Sequence, residues 1–289
     1  MLDDLKNIFR GNNFIGQIII VCAGVFVFQN LFANIFPGFN TGLLRWFAMH
    51  SYLPSFITSP WSAFTYMFMH GSIGHLFWNM LIFYYFGRIV HDFMGRERLI
   101  GLYFLGGIAG AIFYLLVYSL QHLGGQMIVD TPLVGASAGI MAVVAFAGFR
   151  FGDFQMNLLL IGPVKLRYVA LGLFVMNTLL DLSMNTGGKL SHLGGAAFGY
   201  FYFRTLNAGK DPAAGFLNLF KGLGNFFKKK PTIREVENDF RPNSRTSTGP
   251  KSKETEARVD AILDKISKSG YDNLTKEEKE FLFKASNNK

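Results

Sequence analysis

The stretch VGASAGIMAVVAFAGFR, residues 134–150, decides how this chain is read. It places one hydroxyl, Ser137, at the head of an apolar run with no other polar side chain before Arg150. Taken alone, a serine in such a helix most often bonds back to the carbonyl one turn earlier and does nothing more. Whether Ser137 is filler or a sheltered nucleophile depends on what the rest of the chain brings to its depth.

The surroundings are those of a membrane domain with a soluble tail. Of the 289 residues half are hydrophobic, 32 are Phe and 16% are charged, against about 25% charged in an ordinary soluble domain. Residues 207–289 hold 17 of the 28 Lys and Arg and 12 of the 19 Asp and Glu, which leaves 18 charged side chains for the first 206. The single cysteine, Cys22, lies in an apolar run, so neither a disulfide framework nor a thiolate metal site is expected. The net charge of +9 lies mostly in the tail. It points to an anionic membrane face, since no nucleic-acid motif accompanies it.

Crossing the hydrocarbon takes about 20 helical residues. Six runs are candidates: 14–36, 72–93, 98–120, 136–150 (short and rich in small residues), 166–184 and 190–206. The first is too long for the apolar core of a signal peptide and lacks a convincing cleavage site. Lys6 and Arg10, then Arg88, Arg96 and Arg98, then Arg150, Lys165 and Arg167 flank one side; Arg45 and Lys189 fall on the other. The positive-inside rule then predicts both termini in the cytoplasm and a long outer loop at 37–71, whose Trp46, Pro54, Pro60 and Trp61 suit the interface.

That orientation brings polar residues to one depth. The second, fourth and sixth spans all run inward, and each carries its unusual side chains near its outer start: His70, His75 and Asn79; Ser137; His192. Polar groups inside a bilayer are costly and mark function by default. A serine needs a base for its proton, and one histidine suffices. A tetrahedral oxyanion needs donors, which Asn79, His70 and the Ser137 N–H can supply. His192, Gly195 and Gly199 share a helix face, and the small-xxx-small spacing would let the sixth span approach the fourth closely. Each residue also has an ordinary reading: a packing stripe for the glycines, an interface anchor for His70.

The strings HGSIGHLFWN (70–79), GASAG (135–139) and HLGGAAFG (192–199), in that order on alternate spans, together resemble the rhomboid intramembrane serine proteases over residues 14–206. The resemblance implies an all-α membrane protein of bacterial type, with a six-helix bundle and a cytoplasmic C-terminal extension. It also implies a Ser137–His192 dyad, an oxyanion site helped by His70 and Asn79 with His75 in support, and close packing at Gly135, Gly195 and Gly199. The implied reaction is cleavage of transmembrane or juxtamembrane segments with no metal or nucleotide cofactor, with the fifth span gating entry. Four positions depart from the family pattern: Ala138 where glycine is common, Met141 where an aromatic is frequent, Ser62 after Trp61 in place of arginine, and Ser191 before the histidine in place of alanine.

Other readings are weaker. GASAG also fits the nucleophile elbow, and Ser137, Asp181 and His192 follow the chain order of α/β-hydrolases, but the elbow needs a strand before the serine and a soluble α/β scaffold. Asp181, four residues after Asn177, reads instead as an interface anchor or gate contact. His70 and His75 are five apart with no glutamate between them, unlike a zincin. A transporter would show paired interrupted helices and internal repeats. The remaining alternative is a catalytically inactive rhomboid-like protein that binds or retains membrane-protein clients.

Three regions are expected: the membrane domain 1–206, a basic amphipathic segment and linker over 207–253, and a small helical pair at 254–289. Within the second, Phe216, Leu219, Phe220, Leu223, Phe226 and Phe227 fall mainly on one side of a helix ending in three lysines, which suits the anionic leaflet. Residues 239–253 read as a disordered linker. In the third, Val259, Ile262, Leu263 and Ile266 recur at helical spacing, Gly270 is a stop, and Thr275 with Glu278 forms a capping box. Two short helices bury little surface alone, so docking on a partner, on a second copy or on the membrane domain is expected there. The expected partners are transmembrane substrates and the bilayer, not nucleic acid, and the expected location is a bacterial cell membrane.

Overall fold

Asn13 starts the bundle by accepting the Gly16 N–H at 2.9 Å, which satisfies one of the donors that a helix start leaves over. The helix it caps, α1 (Phe14–Ile35), begins the computed structural model, which describes residues 13–127, 129–158, 162–180, 186–218 and 250–286. The connection after α1 folds into α2 (Phe39–Phe47), β1 (Met49–His50), α3 (Leu53–Thr58) and α4 (Ser62–Thr65). Ser72 accepts the His75 N–H at 3.1 Å and so starts α5 (Ile73–Met94). Gly95, at φ +85°, turns the chain into α6 (Arg96–Leu123). β2 (Pro132–Leu133) pairs antiparallel with β1, Met49 opposite Leu133, and leads into α7 (Ser137–Arg150). A hairpin of β3 (Gln155–Leu158) and β4 (Gly162–Lys165) precedes α8 (Leu166–Phe174), a π-helical turn (Val175–Leu179) and α9 (Thr186–Asn207).

α7 is the hub. Every side chain from Ala138 to Val144 is buried, because α5, α6, α8 and α9 all pack around this helix. Small residues set the spacing. A Cβ at Gly195 or Gly199 of α9 would run into the backbone of Ala138 or Ala142, and one at Gly106 of α6 into the Ala142 side chain. Aromatic pairs fill the wider half of the core, with Phe14 edge-on to Phe83 at 6.2 Å and Phe146 edge-on to Tyr202 at 5.4 Å.

Among the described residues, two helices, α1 and α6, are long and apolar enough to cross a membrane by length and composition. α5 and α9 have 22 residues each, about 33 Å at 1.5 Å per residue, but carry the polar side chains that lower their hydropathy. α7, with 14 residues, is only about 21 Å long, because an extended segment delivers its first residue. The fifth run does not continue as α-helix to 184: it ends at Phe174 and widens into the π turn. Lys6, Arg10, Asp181 and residues 219–249, which include most of the amphipathic segment and of the linker, lie outside the described residues. Of that segment, residues 212–218 are helical, with the Phe216 ring 6.3 Å from Phe104.

The chain divides into two compact units, Met1–Lys228 and Lys229–Lys289. In the second, α10 (Pro250–Ser269) and α11 (Lys276–Ser286) form a helical pair. Gly270, at φ +83°, ends α10, and Thr275 and Glu278 exchange hydrogen bonds at 2.8 and 3.3 Å across the start of α11. Lys265 pairs with Glu278 at 2.9 Å, which holds that carboxyl below the ordinary glutamate value.

Candidate active site

Ser137 occupies the first turn of α7, where no side chain caps the helix. The first intrahelical bond there runs from the Ile140 N–H to the Ala136 carbonyl at 3.1 Å, so the N–H groups of residues 137–139 precede the ladder. A helix start of this kind presents donors and a partial positive charge to whatever lies beside it.

His192 of α9 meets this end of α7. Its Nε2 lies 2.8 Å from Ser137 Oγ, and its Nδ1 lies 3.1 Å from the Asn177 carbonyl oxygen. A carbonyl only accepts, so Nδ1 carries the hydrogen of the neutral ring and Nε2 faces the hydroxyl with a lone pair. Asn177 sits in the π turn that follows α8, and its amide donates to the Leu173 carbonyl at 2.8 Å. π-helical turns concentrate at functional sites, and this one aims a main-chain acceptor at the imidazole.

A cavity of about 310 Å³ opens over the pair, lined by His75, Trp78 and Asn79 of α5, Met141 of α7, and Met176 and Asn177. Asn79 donates one amide hydrogen to the His75 carbonyl at 2.8 Å. The amide has a second hydrogen to offer. His70 stands one layer behind that wall. It is fully buried, with its ring centroid 5.1 Å from that of His75 and no hydrogen-bond partner for either nitrogen among the described residues. The structure thus puts Ser137, His192, Asn79 and His75 on one cavity and leaves His70 as the support beneath His75. Gly135, at φ +131°, passes so close to His75 that a Cβ would lie 2.8 Å from its Cε1. Among the described residues, no group of three His, Cys, Asp or Glu could hold a metal ion.

A model for the rhomboid domain matches residues 58–208, just over half of the chain. The chain belongs to the rhomboid family. A second model, described as a family of unknown function (DUF6576), matches residues 251–288. RHOMBOID-like protein 12, mitochondrial, of Arabidopsis thaliana is 27% identical over 205 residues, 67% of this chain and 58% of that protein. Presenilin-associated rhomboid-like protein A, mitochondrial, of Danio rerio is 28% identical over 140 residues, 47% of this chain and 34% of that one. Rhomboid protease GlpG of Klebsiella pneumoniae is 28% identical over 123 residues, 36% of this chain and 42% of its own length. The chain therefore spans between about a third and three fifths of these relatives.

Within this rhomboid domain the departures from the family pattern have local partners. The Ala138 methyl fits because Gly110 of α6 lies opposite, where a Cβ would come within 2.5 Å of it. Ser191 is buried and turns its hydroxyl to the Gly188 carbonyl at 2.8 Å. Ser62 is buried against Met49 Sδ, while Trp61 stacks on Trp46 at 6.1 Å. Met141, one turn below Ser137, is buried in the cavity floor.

Two supports carried no sequence signal. The Asn177 contact is made by a backbone carbonyl, which any residue supplies. Asp130, just before β2, pairs with His50 Nδ1 at 2.9 Å and accepts the N–H groups of Ser51 and Tyr52 at 3.1 and 3.3 Å. It ties the loop around β1 to the segment that delivers Ser137, across 80 residues of sequence.

Proposed function

We propose that this rhomboid is an intramembrane serine endopeptidase acting through a Ser137–His192 dyad. The observation that carries this reading is the 2.8 Å contact between His192 Nε2 and Ser137 Oγ, with Nδ1 held by a carbonyl. As the Ser137 oxygen bonds to the scissile carbonyl carbon, its proton passes to Nε2. Negative charge moves onto the carbonyl oxygen, where the N–H groups at the start of α7 and the free amide hydrogen of Asn79 supply donors. Collapse breaks the C–N bond, and Nε2 returns the proton to the leaving amine. Water then hydrolyses the acyl-enzyme by the same steps. His75 shapes the wall, His70 supports it, and Gly135, Gly195 and Gly199 permit the approach.

In this reading α1, α5, α6, α7, α8 with its π turn, and α9 are six spans of one bundle, and the substrates are transmembrane proteins. Lys and Arg cluster at the Arg150 end of α7, which by the positive-inside rule supports a cytoplasmic location for that end and for both termini. The site then opens near the outer leaflet of a bacterial-type cell membrane. Residues 254–289 are in this reading a cytoplasmic docking element, preceded by the basic segment 207–253.

The test is cleavage of a panel of single-span substrates in proteoliposomes. Turnover that disappears in Ser137→Ala and in His192→Ala, with binding of the same segments intact, is expected. Binding without turnover in the parent would make the chain a client-retaining protein instead.

A further inference from the structure

A second, larger cavity lies at the other end of α7. It measures about 930 Å³ and is walled by Met141, Val144, Ala145 and Gly148 of α7, Ala170, Leu171 and Phe174 of α8, Phe93 of α5 and Ala196 of α9. Its wall is apolar and its sides open outward: Phe149 and Leu171 on its rim are 55% and 59% exposed. Its end is basic. Arg150 and Arg167 line it with Asp153, and Lys165 pairs with Asp153 at 3.2 Å. Asp153 also pairs with Arg167, so this one carboxylate is shared by two cations, which hold it below the ordinary aspartate value, while Arg150 lines the same end. Arg150 contacts the Phe151 ring at 5.9 Å.

We propose that this cavity is a binding site for an anionic phospholipid, with the phosphate between Arg150 and Arg167 and an acyl chain running up the apolar wall toward Met141. The proposal rests on the membrane reading above, which turns the rim toward lipid and the arginines toward the cytoplasmic headgroups. Charge decides the occupant. A substrate helix would fill the apolar wall but has no use for a cationic end, whereas basic pockets between spans on the cytoplasmic side suit acidic headgroups. A guanidinium binds phosphate oxygens in pairs, through a planar fork. The volume falls in the usual range for small-molecule sites, about 300–1,000 Å³.

Met141 gives the site a consequence. It lines both cavities, one turn below Ser137 on one side and at the tip of the proposed chain on the other. A seated chain would fix the Met141 side chain, one of the most adaptable in a core, and so hold the cavity floor under Ser137 and His192.

The test uses the full chain, extracted in mild detergent, with native mass spectrometry and nanodiscs of phosphatidylcholine with or without phosphatidylglycerol. One phosphatidylglycerol is expected to stay bound to the parent in preference to phosphatidylcholine. Arg150→Gln should lower that preference about tenfold, which corresponds to about 1.4 kcal/mol. Ala145→Phe, which fills the cavity, should abolish retention of either lipid, with folding checked by circular dichroism and monodisperse elution in the same detergent. Equal retention of both lipids, or retention unchanged in Ala145→Phe, would overturn the proposal. So would displacement of phosphatidylglycerol by a substrate transmembrane peptide from this cavity. Release of the protein from membranes by alkaline carbonate would count against the membrane reading itself.

Discussion

At the Ser137 end of α7, Gly195 and Gly110 bring α9 and α6 onto the helix, and hydrogen bonds fix His192 and the preceding loop. At the Arg150 end, about 20 Å away along the same helix, α5 and α8 leave a cavity of about 930 Å³ beside it. One helix thus has a close-packed reactive end and a loosely packed charged end. Close packing is placed where an oxygen and a nitrogen must stay in contact, because a misplacement of about 1 Å can cost about 100-fold in rate. Looseness is confined to where a mobile occupant fits.

The comparison can be broken most severely at Gly195. Replacing it with leucine drives a side chain into the Ala138 carbonyl. Proteolysis should fall at least about 100-fold, and thermal unfolding in detergent should move to lower temperature. Activity near the parent level would mean that the two helices need not touch. Next is Asp130→Ala, which removes the His50 pair and two N–H contacts. We expect a stability loss of about 1–3 kcal/mol and a lower kcat, because the loop carrying Ser137 is no longer tied down. An unchanged denaturation midpoint would make the tie irrelevant.

A third test sharpens the packing argument. Gly110→Ala places a methyl 2.5 Å from the Ala138 Cβ and 2.6 Å from the Ser191 carbonyl, at an overpacking cost of about 1–3 kcal/mol. Adding Ala138→Gly should recover part of that loss, with a coupling of about 0.5–3 kcal/mol in a double-mutant cycle. Strict additivity would show that these residues do not share space. The smallest effect is expected at Asp211, near the Arg150 end. Burial alone would raise its pKa, but hydrogen bonds from Tyr202 at 2.7 Å, Arg98 at 2.8 Å and the Ala213 N–H at 3.0 Å outweigh it, so the value lies below the ordinary 3.8. A lowered carboxyl pKa stabilises the fold above the unfolded value and loses that contribution as pH falls through the folded one. The unfolding temperature should therefore drop below about pH 4 in the parent, and less so in Asp211→Asn.

Much of this contrast can be read from side chains before any coordinates. Thr275 with Glu278 announces a helix start because a short polar side chain three residues before a glutamate forms a capping box. Gly195 and Gly199 announce a close approach because they repeat on one face. Ser137, Asn79 and His192 fall at one depth once the spans are counted, although the 2.8 Å contact itself belongs to the fold. What stays hidden is whatever the backbone does. The end of α8 at Phe174, the π turn and the Asn177 carbonyl leave no residue-type signature. Gly106 and Gly110 do not stand out within a glycine-rich helix that already reads as apolar. His70, read beside Asn79 as an oxyanion donor, lies behind His75, since a linear string cannot say which of two neighbouring rings faces the cavity.

The most direct test is covalent labelling with a fluorophosphonate probe, read by intact mass and peptide mapping. The dyad predicts one adduct, on the peptide containing Ser137, whose rate follows the deprotonated fraction of one histidine and falls by about 1,000-fold or more in His192→Ala. Labelling at the parent rate in His192→Ala, or an adduct that persists in Ser137→Ala, would contradict the account.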